Sequence, residues 1–433
     1  MTTQSLPPLK DKMKPIIELY HKGHFLEALD SIKTLKKIYQ NEPLIFNICG
    51  ICYARLGKLD KAITSYERAI SILPNYADAH NNLGNALRRI GNLELAIRSL
   101  EKALTLKPNY PDAHYNLGST FRVLGQFDAA VQSYKKLISI MPEHYEGHFF
   151  IGISFQELRQ LDLAINHFKQ TLAIKPDYFQ AHLRLGSIFT TLGQQNKAIN
   201  HYEEALTINP DLPVARHMLD AINGNTSTEP PQEYVKDLFD DYAERFDKSL
   251  VQQLGYKLPF LMKQLILKLD PSRNIFEKVI DLGCGTGLSG KELRDISNNL
   301  TGIDLSENMV AKARELDVYD SLIVGDIVDT LSSSQEKYDL FIALDVLVYI
   351  GAVKSIFSAV RNCCKKNAFF IFSVETQEED GYSLLKSARY SHSVEYILKT
   401  APEHFKLIES RDVKLRKEKK DWINGKLFIF QAS

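Results

Sequence analysis

The first half of the chain repeats itself every 34 residues, and that period constrains its fold more than any other feature. Glycine recurs as Gly50, Gly84, Gly118, Gly152 and Gly186. Alanine recurs as Ala28, Ala62, Ala96, Ala130, Ala164 and Ala198, and proline as Pro74, Pro108, Pro142, Pro176 and Pro210. A bulkier residue returns as Tyr66, Leu100, Tyr134, Phe168 and Tyr202. Within one unit the apolar spacing predicts two amphipathic helices, 79–90 and 93–106, with a turn at Gly91-Asn92 and a stop at Pro108. Small residues at fixed positions let the first helix approach the second closely. Each unit leaves an apolar face that only a neighbouring unit can cover, so the units must stack.

These marks resemble the tetratricopeptide repeat, over six units spanning 9–212. The first unit departs from the pattern, with Ile16 at the glycine position and Gln40 at the proline position, as a terminal repeat is expected to. The segment 213–222 reads as a solvating cap helix. The resemblance implies an all-α solenoid whose concave face takes a protein or peptide partner. Asn82 and Asn116 recur at one repeat position and either bond an extended peptide's backbone or are simply solvated. His80, His114, His148 and His182 form a column at the same period. Neighbouring helices stand about 8–10 Å apart and zinc–nitrogen bonds are about 2 Å, so one ion cannot bridge successive units, and the column reads as structural. Cys49 and Cys52 sit inside a repeat helix with no second pair at metal spacing; Cys363 and Cys364 lie far away in sequence. All four read as packing thiols, and no metal site is expected.

Beyond the array, 224–232 is polar, contains Pro230 and Pro231, and lacks periodicity, which marks a linker. The layout expected is a repeat array over 9–223, a linker over 224–232 and a second domain over 233–433. In that domain apolar strand patterns at 279–282, 300–304, 322–324, 339–344, 369–374 and 405–409 alternate with helical ones, which predicts a parallel, doubly wound α/β sheet. No crossover helix precedes the last candidate strand, 427–431, so it is expected to run antiparallel.

The strongest local signal is Asp281-Leu282-Gly283-Cys284-Gly285-Thr286-Gly287, where a strand runs into three alternate glycines and then a helix. Glycines allow left-handed backbone and let the main chain approach a ligand. Gly285, Gly287 and Gly290 alone match the dinucleotide fingerprint, with Asp304 in range as a ribose-binding acid, so a nicotinamide cofactor is one reading. Four ordered motifs favour another. Asp281 with its three glycines, Leu300-Thr301-Gly302-Ile303-Asp304-Leu305-Ser306, Val324-Gly325-Asp326-Ile327 and Tyr338-Asp339-Leu340-Phe341-Ile342 resemble the successive motifs of class I S-adenosylmethionine-dependent methyltransferases. The resemblance covers 232–433 and implies a Rossmann-like seven-stranded sheet with an antiparallel last strand.

It also implies roles. Gly283, Gly285 and Gly287 would line the methionine part of S-adenosylmethionine, with Asp281 near its ammonium. Asp304 would accept from both ribose hydroxyls, Asp326 would take the adenine amino group, and the Ile327 backbone would touch the ring. Leu305 and Leu344 complete the expected cofactor set. On the acceptor side the sequence offers Tyr349, Arg389, Tyr390 and His392, against the plainer reading of packing and a helix start capped by Ser391 or Ser393. Tyr242 and Phe246, four apart on a helix, are either a lid over the cofactor or ordinary core. With Gly381-Tyr382 and 388–393, this segment resembles bacterial-type methyltransferases that carry such repeats.

Charge excludes one class of acceptor. Lys+Arg and Asp+Glu each number 53, and neither part of the chain carries a marked excess. That is poor electrostatics for gripping nucleic acid or an anionic membrane, and no Asn-Pro-Pro-Tyr element of amino-base DNA methylation follows the fourth strand. The basic run Lys414, Arg416, Lys417, Lys419 and Lys420 is expected in the last hairpin loop, as a solvated turn or a surface for an acidic substrate. Five cysteines are no disulfide framework, and the first residues lack a signal-peptide core, so a cytoplasmic protein is expected. The functional expectation is a methyltransferase whose repeats recruit a protein substrate or partner. The alternatives are a repeat scaffold with a cofactor-binding but inactive second domain, and a small-molecule methyltransferase whose repeats serve assembly.

Overall fold

A computed structural model describes residues 9–243, 255–269, 275–418 and 421–433. Two compact units divide between His201 and Tyr202. In the first, helices such as Pro43–Arg55 and Leu59–Ile72, or Ala77–Arg89 and Leu93–Leu106, alternate in pairs of 13 and 14 residues. The period has a steric explanation. A Cβ on Gly50 would lie 2.5 Å from the Tyr66 ring, one on Gly84 2.5 Å from Leu100, one on Gly118 2.8 Å from Tyr134, and one on Gly152 2.7 Å from Phe168. Glycine and bulky side chain thus interlock once per unit, beneath fully buried Ala62, Ala96, Ala130 and Ala164.

The periodic polar residues link one unit to the next. Nε2 of His80, His114 and His148 lies 2.9, 2.9 and 3.1 Å from the carbonyl oxygens of Pro74, Pro108 and Pro142. Asn82 Nδ2 donates to Asn47 Oδ1 at 3.0 Å and Asn116 Nδ2 to Asn81 Oδ1 at 2.9 Å. The histidine column is therefore an intramolecular hydrogen-bond ladder. Cys49 and Cys52 are buried thiols, and burial pushes Cys52 up to about 11.

The second unit is built on a mixed sheet in the order β3-β2-β1-β4-β5. These strands are β1 (Phe276–Leu282), β2 (Ser297–Asp304), β3 (Ser321–Val324), β4 (Tyr338–Ala343) and β5 (Cys364–Thr376), all parallel. Next come β6 (Tyr382–Leu384) and β7 (Tyr390–His392), a short hairpin whose second strand pairs with the end of β5. The chain finishes with β8 (Phe405–Glu418) and β9 (Asp421–Ala432); β9 lies antiparallel between β5 and β8. The antiparallel last strand is as the sequence predicts. Helices Leu258–Leu269 and Leu288–Leu293 pack on one face, and Lys354–Cys363 and Val394–Thr400 on the other. All six residues of β4 are buried, Asp339 among them, and 340–343 reads as a continuous apolar run.

Two expectations need correction. Helix Pro213–Asn223 is no solvating cap: Ala221 and Met218 pack with Leu384, Ala388 and Tyr390 of the β6–β7 hairpin, and His217 Nε2 lies 3.4 Å from the Ala388 carbonyl. The polar stretch after it is likewise engaged. Thr226 Oγ1 accepts from the Leu384 amide, Ser227 Oγ and Tyr390 Oη are 2.7 Å apart, and the Thr228 carbonyl accepts from the Ala352 amide. The basic run, in turn, is strand rather than loop. Lys414, Arg416 and Lys417 belong to β8, and Arg416 is buried; Lys419 and Lys420 lie outside the described residues.

Candidate active site

Parallel register brings the C-terminal ends of β1, β2 and β4 side by side, with Asp281 opposite both Gly302 and Ile342. At that edge β1 passes into the glycine loop. Gly283, Gly285 and Gly287 adopt φ of +70°, +53° and +94°, the left-handed region in which a Cβ is disfavoured. The loop is tied to the neighbouring strand: the amides of Gly283 and Cys284 donate to the Ile303 carbonyl, and the Gly285 amide donates to Asp304 Oδ2 at 2.8 Å. Asp304 Oδ1 accepts from the Ser306 amide at 2.9 Å. The Leu305 amide is a third backbone donor to this carboxylate. Burial raises the Asp304 pKa, and the amides of Ser306 and Gly285 oppose that.

Asp281 is buried, and its Oδ2 accepts from Tyr319 Oη at 2.6 Å. Desolvation pushes it up to about 7, against the Tyr319 hydrogen bond and with help from the Asp304 charge. Asp326 caps helix Ile327–Ser333, accepting from the Asp329 amide at 3.0 Å, and Ile327 is the first residue of that helix. Leu305 is half-buried behind Asp304 and Leu344 is buried after β4.

Helix Gln232–Tyr242 reaches this edge. Asp240 Oδ1 accepts from Ser306 Oγ at 2.5 Å, the Asp240 carbonyl accepts from Asn308 Nδ2, and Phe239 meets Tyr349 edge-on at 5.2 Å. The helix therefore touches residues that follow both β2 and β4. The Tyr242 side chain and Phe246 lie outside the described residues.

On the acceptor side, the four sequence candidates part company. Tyr349 ends a short 3-10 turn after β4, and Arg389 Nε donates to Glu375 Oε1 at 3.0 Å. Tyr390 and His392 are fully buried instead. Tyr390 bonds Ser227, and His392 Nε2 sits 2.9 and 3.0 Å from the carbonyl oxygens of Ile350 and Gly351; burial lowers the His392 pKa to about 4. Ser393 accepts from the Tyr396 amide and caps the following helix.

A cluster that the sequence did not bring together completes the edge. Arg416 on β8 bonds both Asp345, just after β4, and buried Glu375 on β5. Burial alone would lower the Arg416 pKa; Asp345 and Glu375 outweigh it and raise it. The sequence signals for this cluster were Arg416 in the basic run and an acid, Asp345, inside an otherwise apolar run.

Comparison with known proteins names the parts. Residues 280–372 match the family described as "Methyltransferase domain", and 51–91, 84–122, 111–144 and 179–212 match tetratricopeptide repeats. The chain carries a methyltransferase domain and a tetratricopeptide-repeat array. A ubiquinone biosynthesis O-methyltransferase from Glaesserella parasuis is 25% identical over 31% of this chain and 58% of its own length. One from Hydrogenovibrio crunogenus is 29% identical over 24% and 46%. An 18S rRNA (guanine-N(7))-methyltransferase from Arabidopsis thaliana is 25% identical over 31% and 51%. This chain thus spans about half the length of the curated relatives it matches. Among solved structures, the pilus biogenesis factor PilW covers 48% of this chain and 97% of its own at 23% identity and TM-score 0.45. YrrB, described as a repeat protein with an unusual peptide-binding site, covers 43% and 96% at 20% identity and TM-score 0.39. Among the described residues no helix is long and apolar enough to cross a membrane.

Proposed function

We propose that the protein is an S-adenosylmethionine-dependent methyltransferase whose repeat array recruits a protein or peptide as substrate or partner. The observation that carries this is the glycine loop: three left-handed glycines, the middle one donating its amide to Asp304, in a domain of the methyltransferase family. The residues fit the cofactor. A Cβ on Gly283 would meet Val346 Cγ2 at 2.4 Å, so the loop is held open by the absence of side chains. Asp304, at the end of β2, would accept from the ribose hydroxyls. Asp281, poised near 7, supplies a carboxylate for an ammonium, and Asp326 with the Ile327 amide stands at the β3 end for the adenine. When bound, the cofactor supplies an electrophilic methyl group on a sulfonium. The chain orients that group and its acceptor in line, which carries most of such a reaction. Asp240 and Phe239, on a helix that touches the ends of both β2 and β4, would cover the edge as a lid.

The repeats raise the local concentration of an acceptor by tethering it. A second reading, a small-molecule acceptor with the repeats used for assembly, is favoured by the quinone-pathway names among the relatives. The near-neutral charge argues against nucleic acid. Incubating the full chain with methyl-labelled cofactor and fractionated lysate separates these readings: label in protein supports the first, label in small molecules the second. Asp304→Ala is expected to weaken S-adenosylhomocysteine binding in calorimetry by at least tenfold. Unchanged affinity would overturn the cofactor assignment.

A further inference from the structure

One acidic side chain at this edge has no part in the cofactor set. Asp345 follows Leu344 beyond β4 with φ of +60°, a region disfavoured for residues bearing a Cβ. Backbone strain of this kind persists only where the surroundings over-determine it, and it concentrates at working sites. Here it is held from two sides. The Asp345 amide donates to Ser373 Oγ at 2.9 Å, on buried β5. The next residue, Val346, presses its Cγ2 into the space above Gly283. The strained turn is therefore packed directly against the glycine loop.

The side chain is equally constrained on one side only. Asp345 Oδ1 accepts from Arg416, whose other nitrogen bonds Glu375, which in turn accepts from Arg389. Guanidinium and carboxylate groups thus alternate through the cluster. Asp345 Oδ2 has no hydrogen-bond partner among the described residues, and the same holds for the hydroxyls of Tyr256 and Tyr349. Both tyrosines lie within electrostatic reach of Asp345, and Tyr256 is also within reach of Asp281 at the start of the loop. An open carboxylate oxygen thus stands in the turn that packs against the glycine loop.

We propose that Asp345 is the acceptor-facing carboxylate of methyl transfer, and that the acceptor is a nucleophile bearing a proton on nitrogen or oxygen. The proposal rests on the methyltransferase reading above. Transfer breaks the donor's carbon–sulfur bond, leaving the electron pair on sulfur, and forms a carbon–nitrogen or carbon–oxygen bond from the acceptor's lone pair. The proton displaced from the acceptor goes to Asp345 Oδ2 and from there to solvent. Arg416 and Glu375 are positioning residues: Glu375 holds Arg416, whose other nitrogen occupies Asp345 Oδ1 and leaves Oδ2 as the oxygen that meets the acceptor.

The test needs no knowledge of the acceptor. In the amine analogue of S-adenosylmethionine, a carbon bearing an ammonium replaces the methylated sulfonium, so the ammonium projects where the methyl group would. Calorimetry on the full chain compares this analogue with S-adenosylhomocysteine, in wild type and in Asp345→Asn. Asparagine tolerates left-handed backbone and keeps an oxygen for Arg416, so the turn is retained. The expected result is a tighter wild-type complex with the analogue, a loss of about tenfold in that affinity on substitution, and S-adenosylhomocysteine binding unchanged within about twofold. Persistence of the analogue's advantage in the variant would overturn the proposal, as would parallel weakening of both ligands. Failure of the wild type to bind S-adenosylhomocysteine would overturn the cofactor reading itself.

Discussion

The contact between Gly283 and Val346 can be measured by a pair of substitutions. In Gly283→Ala the new Cβ sits at φ of +70°, which costs about 1–2 kcal/mol for a side-chain-bearing residue. The same atom falls 2.4 Å from Val346 Cγ2, an overpacking worth about 1–3 kcal/mol. The loss of glycine's extra freedom in the unfolded chain returns about 0.4–1 kcal/mol, so the net destabilisation is about 1–4.5 kcal/mol. Val346→Ala alone removes two methyl groups from a half-buried site and costs about 1–2 kcal/mol. In the double variant the collision disappears and the backbone cost stays. The pair should therefore be less damaging than the sum of the singles by about 1–3 kcal/mol. Urea unfolding followed by fluorescence measures this directly, because Trp422, the one tryptophan in the chain, lies on β9 of the same unit. Additivity within about 0.5 kcal/mol would refute the claim that Val346 shapes the loop.

Two further outcomes test the fold on which the site stands. Left-handed turns recur at Gly23, Gly57, Gly91, Gly125 and Gly193, but the fifth unit has Arg159 there, at φ of +60°; Arg159→Gly should stabilise the array by about 0.5–1 kcal/mol in thermal melts, and a lowered melting point would count against the strain argument. His392 has its pKa depressed by burial from 6.5 to about 4, so the unfolded chain binds its proton first: the stability it contributes is present above pH 6.5 and is lost as pH falls toward 4, about 3 kcal/mol in all. His392→Gln should flatten the acid limb of stability against pH, read through Trp422, and an unaltered limb would show that the imidazole is not the group being titrated.

What was legible in the sequence was whatever repeats or sits close together along the chain. The 34-residue period encodes a steric lock between glycine and a ring, such as Gly118 with Tyr134, and period survives in a single sequence because it is a local rule applied many times. The glycine loop and Asp304 were legible for a similar reason: parallel strands must end at one edge, so acids at strand ends converge there. The β6–β7 hairpin was not legible. Its strands are three residues each, too short to show alternation, and what holds them is packing against helix Pro213–Asn223, some 170 residues earlier. Tyr390 and His392 looked like a chemical cluster because polar types crowd a short segment. Their partners, Ser227 and the Ile350 and Gly351 carbonyls, lie elsewhere in the chain.

The basic run shows the same limit with the opposite outcome. Five cations near a chain reversal read as a solvated turn because charge is normally surface charge. On β8, however, the pairing register shifts between Lys414 and Lys417, and this break in alternation buries the adjacent Leu415 and Arg416 while Lys414 and Lys417 both lie over Trp422. A buried guanidinium is tolerable only if its desolvation is answered, and here the answers come from Asp345 after β4 and Glu375 on β5. Replacing such a cluster by apolar residues would often cost nothing, so stability alone does not account for it. A cluster assembled from segments 71 and 41 residues away, at the edge where the glycine loop opens, is better understood as fixing where one carboxylate oxygen points. That is why the ion pairs belong to the account of the reaction rather than to the account of the fold.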